Sequence, residues 1–278
     1  MTEQKRRGIY LLPNLLTTAG LFSGFFAIVS SMNGRFEAAA VAIFVAMIFD
    51  GLDGRVARMT NTQSEFGAEY DSMADMVSFG VAPAIVAYNW GLTGLGKIGW
   101  LAAFIYVAAA ALRLARFNTQ IGVADNRYFQ GLASPAAAAL VAGLIWVGVE
   151  YGINGQDYGI IVAIITGASG LLMVSNFKYN SFKEVNFHGK VPFVALLLIM
   201  LIFVVVATEP ALVLFVAFAL YALAGPINTF RTVDKVRLED VVGDAEEHDV
   251  DYDADESRKN KNVDAYADTN DIDKSGDK

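Results

Sequence analysis

Four aspartates stand out because the segments on either side of them are almost entirely apolar. Asp50 and Asp53 lie three residues apart, and Asp71 and Asp75 lie four apart. Residues at these spacings share one face of a helix, so each pair presents its two carboxylates in one direction. Only the short stretch MTNTQSE separates the two predicted helices, which favours a hairpin with the pairs facing each other at similar depth. Carboxylates that converge in a partly desolvated place require protons or cations to neutralise them.

The residues available around these aspartates indicate which cation they would bind. The chain has no cysteine and only two histidines, and oxygen-only ligands favour a hard cation such as Mg²⁺, Mn²⁺ or Ca²⁺ over zinc or copper. Gly54 and Gly67 lie one turn from an aspartate, where the missing side chain lets a ligand approach closely. Arg58 adds a fixed cation with two donors suited to phosphate. The pattern therefore predicts a site that holds a divalent metal and handles phosphate.

Two other interpretations of the charges are possible. The aspartates could cap helix ends at a membrane surface and pair with Arg55 and Arg58. They could also belong to a proton or cation pathway, as in a cation transporter. A pathway requires polar residues that continue across the membrane, whereas the stretch VSFGVAPAIVAYNW that follows is nearly all apolar. Neither alternative explains four aspartates paired at helical spacing as well as a metal site does.

Long apolar segments must position these residues. Hydrophobic residues make up 55% of the 278-residue chain and its mean hydropathy is +0.42, more apolar than a soluble domain, for which roughly 45–50% is usual. A helix needs about 20 apolar residues to cross a bilayer, and unpaired backbone is not tolerated there. The sequence thus predicts an all-α polytopic membrane protein with about eight transmembrane helices, at roughly 10–32, 37–58, 67–90, 95–117, 133–150, 158–176, 190–208 and 210–231.

The distribution of charge predicts the orientation and the domain organisation. With the N-terminus in the cytoplasm, eight crossings leave fourteen lysines and arginines on the cytoplasmic side and two, Arg35 and Lys97, on the other. This asymmetry places both termini, and the aspartates, at the cytoplasmic face of the inner membrane. Residues 1–233 form the predicted membrane domain. Residues 234–278 hold 16 acidic and 7 basic residues, which predicts an acidic, disordered tail.

The spacing of the motif resembles a known family. From Asp50 the chain matches D-x2-D-G-x2-A-R, eight residues, then G-x3-D-x3-D, through Asp50, Asp53, Gly54, Ala57, Arg58, Gly67, Asp71 and Asp75. This is similar to the signature of the CDP-alcohol phosphotransferases, integral membrane enzymes of phospholipid synthesis that are commonly homodimers. The resemblance implies that Asp50, Asp53 and Asp71 bind Mg²⁺ or Mn²⁺. It also implies that Asp75 is the catalytic base and is included among the metal ligands.

The same resemblance implies a nucleotide site along the second and third helices. Gly54, Ala57, Arg58 and Gly67 would lie against the cytidine nucleotide or its phosphates. Asn14 and Thr17 lie one turn apart on the first helix and could line the nucleotide or metal site. The alternative for these two residues is a plain hydrogen bond between helices.

Three further stretches resemble the bacterial branch of this family that uses serine: PNLLTTAGLFSG, ALRLARFN and LLMVSNFKYNSFK. The branch implies transfer of a phosphatidyl group from CDP-diacylglycerol, a lipid of the surrounding membrane, to the hydroxyl of L-serine, with release of CMP and no role for nucleic acid. Arg113 and Arg116 could bind the serine carboxylate and Asn118 its polar remainder, or the arginines could only set topology. Glycerol 3-phosphate or inositol phosphate remain as alternative acceptors. The stretch GLASPAAAA departs from the branch because it keeps only one proline, Pro135.

Overall fold

The computed structural model describes residues 3–120, 128–180 and 193–229. Within these ranges the chain is almost entirely helical, with one two-stranded antiparallel ladder. Contacts divide the chain into a unit Met1–Ile227 and a unit Asn228–Lys278, and of the second only 228 and 229 are described. The predicted domain boundary after 233 and the predicted tail lie outside the described residues. The helices are α1 (Glu3–Met32), α2 (Phe36–Met59), α3 (Glu65–Asp75), α4 (Ala82–Ala87), α5 (Lys97–Gln120), α6 (Ser134–Glu150), α7 (Gly159–Val174), α8 (Phe193–Thr208) and α9 (Pro210–Thr229).

Shorter elements join some of these helices. Two π-helical segments, Met76–Val81 and Tyr88–Leu92, continue α3 into α4 and α4 into the 3₁₀ turn Thr93–Leu95. A second 3₁₀ turn, Gly155–Tyr158, precedes α7. Strands β1 (Tyr128–Gln130) and β2 (Lys178–Asn180) pair antiparallel.

The predicted helical class is confirmed, and helices occupy all eight predicted segments within the described residues. In the part of the chain that the structure describes, four helical stretches are long and apolar enough to cross a membrane: Leu11–Met32, Lys97–Thr119, Gly155–Val174 and Pro210–Thr229. Helix α2 contains several charged residues, and α6 and α8 have only 17 and 16 residues, about 25 Å of helix at 1.5 Å per residue. The number of crossings therefore stays a prediction.

Small residues set the packing of the helices around the site. Helix α1 lies along α2, and α2 packs against α6. Ala39, Ala40 and Ala46 of α2 and Ala137 and Ala138 of α6 are all fully buried. Side chains of this size let helix backbones approach closely, as is typical of helices packed in a membrane.

The π-helical segment after α3 has an identifiable cause. Pro83 lacks the amide hydrogen that an α-helix would direct to the carbonyl four residues earlier, which is that of Phe79. The hydroxyl of the fully buried Tyr106, on α5, donates to this carbonyl at 3.0 Å. The π-helical segment begins directly after Asp75. The hydrogen bond from Tyr106 to Phe79 ties α5 to the continuation of the helix that carries Asp71 and Asp75.

Candidate active site

The connection between α2 and α3 folds the two aspartate pairs together. Asn61 adopts φ +51°, the left-handed conformation that asparagine tolerates better than most residues. The hydroxyl of Ser64 accepts a hydrogen bond at 3.0 Å from the N–H of Gly67, which caps the start of α3. The chain therefore reverses within a few residues, and α3 returns beside the last turns of α2.

The four aspartates line one pocket, and we call them the aspartate cluster. One carboxylate oxygen from each of Asp50, Asp53 and Asp71 lies within 4.8 Å of the others. The carboxyl group of Asp75 lies in the same pocket beside that of Asp50. Two carboxyl groups side by side need a proton or a cation between them. The two pairs therefore face each other across the hairpin, as their spacing predicts.

The donor set of the cluster fits a divalent metal. Mg²⁺ is bound by oxygen at 2.0–2.1 Å, so oxygens on opposite sides of such an ion are about 4 Å apart. The three oxygens of Asp50, Asp53 and Asp71, all within 4.8 Å of one another, need only small side-chain adjustments to reach that spacing. Asp50, Asp53 and Asp71 would hold the ion, and Asp75 would lie beside it.

Thr17 links the first helix to the cluster. Its hydroxyl lies 2.7 Å from Oδ2 of Asp53 and 3.1 Å from the carbonyl of Pro13, and its single proton serves one of them at a time. Thr17 and Asp53 are both 5% exposed. The sequence left a site role and an interhelical hydrogen bond as alternatives for Thr17. The structure shows the interhelical hydrogen bond, which joins α1 to a carboxylate of the cluster on α2. A role for Thr17 in binding the nucleotide or the metal stays a prediction.

The predicted nucleotide residues lie along the same hairpin. The side-chain oxygen of Asn14 lies 3.5 Å from the position that a Cβ on Gly67 would take. Gly54 has open space where a side chain would be, and the exposed Arg58 donates from Nε to the Gly54 carbonyl at 2.9 Å. Ala57 is half-buried. Gly54 therefore faces open space, whereas a side chain on Gly67 would meet Ser64 and Asn14. The contact of these residues with a nucleotide stays a prediction.

The three predicted serine-binding residues have different surroundings. Arg116 donates to the side-chain oxygen of Asn176 at 3.4 Å, and the Asn118 amide exchanges hydrogen bonds with the Ser72 hydroxyl at 3.1–3.2 Å. Arg113 donates from Nη1 to the Ser134 hydroxyl at 3.0 Å, while its Nε is buried with no hydrogen-bond partner in the described structure. Arg113 also interacts electrostatically with Asp75. Of the three, Arg113 is therefore the one with an unpaired buried donor in the described residues.

Sequence reasoning missed several residues of the site. Ser78 and Phe79 line the pocket, and Ser78 donates to the carbonyl of Gly20 at 3.1 Å. The sequence signal that could have indicated this segment is Pro83. A proline lacks the amide hydrogen that would bond the carbonyl four residues earlier, here that of Phe79. Ser134 begins α6 and precedes Pro135 in the stretch GLASPAAAA, which departs from the serine branch. Next to it Ala133 adopts φ −61° and ψ 137°, a conformation that proline also adopts.

Comparison with known proteins gives the family. The sequence model of the family described as CDP-alcohol phosphatidyltransferase matches residues 10–174, more than half of the chain. The chain belongs to this family. The matched range contains the aspartate cluster, Thr17 and Arg113, and it ends with α7.

The curated relatives in this family share serine in their names. The CDP-diacylglycerol–serine O-phosphatidyltransferase of Helicobacter pylori is 38% identical over 221 residues, 79% of this chain and 91% of the relative. The enzyme of the same name from Methanocaldococcus jannaschii is 40% identical over 173 residues, 62% of this chain and 75% of the relative. The archaetidylserine synthase of Methanothermobacter thermautotrophicus is 34% identical over 181 residues, 64% and 73% of the two chains. The chain is therefore an enzyme of a phosphotransferase family, and the transporter interpretation is set aside.

Proposed function

We propose that this protein transfers the phosphatidyl group of CDP-diacylglycerol to the hydroxyl of L-serine and releases CMP. The observation that supports this most directly is the convergence of four aspartates of the family motif in one pocket. The names of the relatives support serine as the acceptor. The archaetidylserine synthase differs from the others in the lipid that its name gives, while serine is common to all three names.

In the proposed reaction each part of the site has one task. Asp75 takes the proton of the serine hydroxyl, and the serine oxygen attacks the phosphorus that carries diacylglycerol. A bond forms between that oxygen and phosphorus, and the bond from phosphorus to the CMP phosphate oxygen breaks. Asp50, Asp53 and Asp71 would hold Mg²⁺ or Mn²⁺, which would supply stabilisation of charge on the attacking and leaving oxygens. Thr17 orients Asp53 through its hydrogen bond.

The proposal also includes the membrane orientation, the position of the nucleotide and the oligomeric state. We place eight crossings in the inner membrane, with both termini and the aspartate cluster at the cytoplasmic face, so that soluble serine and lipid substrate reach the cluster from water and bilayer. The nucleotide lies along Asn14, Gly54, Ala57, Arg58 and Gly67. A homodimer is expected as in the rest of the family.

Acceptor competition tests this function. Purified protein in detergent–lipid micelles with CDP-diacylglycerol and Mn²⁺ is offered L-serine, glycerol 3-phosphate or inositol phosphate in turn, and CMP is measured. We expect CMP release with serine alone. Release with a phosphorylated alcohol instead would contradict serine as acceptor while leaving the chemistry of the cluster intact.

Metal removal tests the cofactor in the same assay. A chelator in excess should abolish CMP release, and Mg²⁺ or Mn²⁺ added back should restore it, because three carboxylates that face one another cannot bind a pyrophosphate without a cation. Turnover that persists in excess chelator would remove the metal from the proposal.

A further inference from the structure

Helix α3 has little hydrophobic packing to hold it in place. Among its eleven residues, Glu65–Asp75, all of which the structure describes, Ala74 alone is buried. Phe66 and Met73 are 70% and 67% exposed. Packing of an apolar face against the rest of a protein normally fixes how a helix is rotated about its axis. In α3, which carries Asp71 of the aspartate cluster, other contacts must do so.

Polar contacts on the two sides of Asp71 link α3 to its neighbours. The hydroxyl of Tyr70 lies 2.8 Å from that of Thr18, on α1. The hydroxyl of Ser72 lies 3.1 Å from Nδ2 and 3.2 Å from Oδ1 of Asn118, near the end of α5. We call these two contacts the α3 clamp. Successive residues of a helix point about 100° apart, so Tyr70 and Ser72 lie on opposite sides of the direction in which Asp71 faces the pocket.

We propose that the α3 clamp positions Asp71 for the metal, and that its four residues are positioning residues of the reaction. This inference rests on the metal site of the proposed function. Rotation of α3 would carry the Asp71 carboxylate away from those of Asp50 and Asp53, whose oxygens lie within 4.8 Å of it and of each other. Groups that orient a metal ligand raise metal affinity. The clamp does so through the backbone of α3, because its residues flank Asp71 and bond to α1 and α5.

The clamp gives Asn118 a different task from the acceptor binding that the sequence suggested for it. Both polar atoms of its side-chain amide already face the Ser72 hydroxyl. An acceptor could bind these atoms only by breaking the contact with α3. The two roles lead to different results, because loss of an acceptor ligand raises the KM for the acceptor, whereas loss of a positioning contact weakens metal binding.

Mn²⁺ binding to the purified protein in micelles, without substrates, tests the clamp. Free Mn²⁺ gives a sharp EPR signal that the bound ion loses, so a titration yields the Kd. We expect Ser72→Ala and Asn118→Ala each to raise this Kd about fivefold, the factor that corresponds to the net contribution of one neutral hydrogen bond. Ser72→Thr keeps the hydroxyl and should keep the wild-type Kd. The KM for L-serine, measured at saturating Mn²⁺, should stay within about twofold of wild type in both alanine variants.

Thr119→Ala is the matched control at the same end of α5. Thr119 is exposed, and its hydroxyl donates to the Arg116 carbonyl at 2.9 Å, a hydrogen bond within α5 that does not reach α3. Thr119→Ala should therefore leave the Kd for Mn²⁺ unchanged, whatever it does to the Tm. A Kd raised as much in Thr119→Ala as in Asn118→Ala would reduce the clamp to general stability and overturn the proposal.

Two more variants test the two contacts of the clamp. In the combined Ser72→Ala, Asn118→Ala variant the Kd should be no higher than in either single variant, because both changes remove the same contact. Fully multiplicative effects would overturn that shared contact. Tyr70→Phe removes the bond to Thr18 and keeps the ring stacked on Phe66, at 6.1 Å between centroids. It should raise the Kd by itself.

The outcomes separate this inference from the proposed function. A wild-type Kd in Ser72→Ala, Asn118→Ala and Tyr70→Phe would overturn the clamp alone. A serine KM raised in Asn118→Ala and not in Ser72→Ala would make Asn118 an acceptor ligand and overturn its positioning role. Wild type that binds no Mn²⁺ would contradict the metal of the proposed function, and this inference with it. An acceptor other than serine would contradict the proposed function and leave the clamp supported by its Kd values, which are measured without acceptor.

Discussion

At the scale of residues, the four aspartates of the motif are not equivalent. Asp53 is buried and hydrogen-bonded to Thr17, whereas Asp75 lines the same pocket as Asp50 and interacts electrostatically with Arg113. Asp50, Asp53 and Asp71 form the group with metal-ligand spacing. In the proposed mechanism these three would hold the metal, and Asp75 would accept the proton.

Asp75→Asn tests the proposed base. The amide has nearly the same shape and cannot accept the proton of an alcohol, so we expect CMP release to fall by about 10²–10⁴-fold, while the protein remains folded and binds CDP-diacylglycerol. Glu69→Gln is the matched control, because Glu69 is an exposed acid on the same helix, and it should keep wild-type turnover. Substantial turnover in Asp75→Asn would exclude Asp75 as the base.

Thr17→Val tests the orientation of Asp53. Valine has the shape of threonine without the hydroxyl, so the carboxylate loses its 2.7 Å partner. We expect the Mn²⁺ concentration for half-maximal activity to rise about tenfold, as for other groups that orient a metal ligand, and the rise in Tm on adding Mn²⁺ to shrink. Thr17→Ser restores the donor and should restore both values. If Thr17→Val needs the same Mn²⁺ concentration for half-maximal activity as wild type, the hydrogen bond between Thr17 and Asp53 only packs the helices and does not orient a metal ligand.

At the scale of elements, the contact between α1 and the π-helical segment Met76–Val81 holds the cluster in place. A Cβ on Gly24 would lie 2.5 Å from the Ser78 hydroxyl oxygen and 2.7 Å from its Cα. The backbones approach so closely here that only glycine fits. On the other side of the segment, Tyr106 of α5 bonds the Phe79 carbonyl, so three helical elements meet just after Asp75.

Gly24→Ala should therefore destabilise the protein. The extra methyl must push α1 away from Ser78, a strain of about 1–3 kcal/mol, and we expect a fall of several degrees in Tm, followed through the fluorescence of the three tryptophans. Gly20→Ala is the control, one turn away on the same helix, since a Cβ there meets its nearest neighbour at an ordinary 3.6 Å. A Tm for Gly24→Ala equal to that of Gly20→Ala would contradict the close approach.

At the scale of the whole molecule, the proposed orientation determines which substrates reach the site from water. The charge asymmetry predicts eight crossings with the hairpin between α2 and α3 on the cytoplasmic side. The chain has no cysteine, so a single introduced thiol reports the side on which it lies without further changes. The exposed residues Gln63, before α3, and Tyr151, after α6, fall on opposite sides in this arrangement.

Labelling of single-cysteine variants tests the orientation in intact cells. A membrane-impermeant maleimide should label Tyr151→Cys in intact cells and Gln63→Cys only after the cells are opened, because the bilayer excludes the charged reagent from the cytoplasm. Labelling of Gln63→Cys in intact cells would place the aspartate cluster on the outer face and contradict the proposed entry of serine.

The sequence by itself determined the helical class, the hairpin of α2 and α3 and the membership of Asp50, Asp53, Asp71 and Asp75 in one site. These follow from apolar length and from spacing along single helices, which are local properties. The pairing of β1 and β2 could not be predicted from the sequence, because three-residue strands are too short to produce an alternating pattern.

Only the tertiary structure decided which polar groups are already paired. Arg113, Arg116 and Asn118 are equivalent in the sequence, on one short stretch of α5. The fold gives Arg116 and Asn118 hydrogen bonds to Asn176 and Ser72, and leaves the buried Nε of Arg113 without a hydrogen-bond partner in the described residues. Ser134 meets Arg113 from α6, twenty-one residues further along the chain, and no local pattern encodes such a contact. Hydrogen-bond satisfaction depends on neighbours from several helices at once, and therefore only the packed chain determines it.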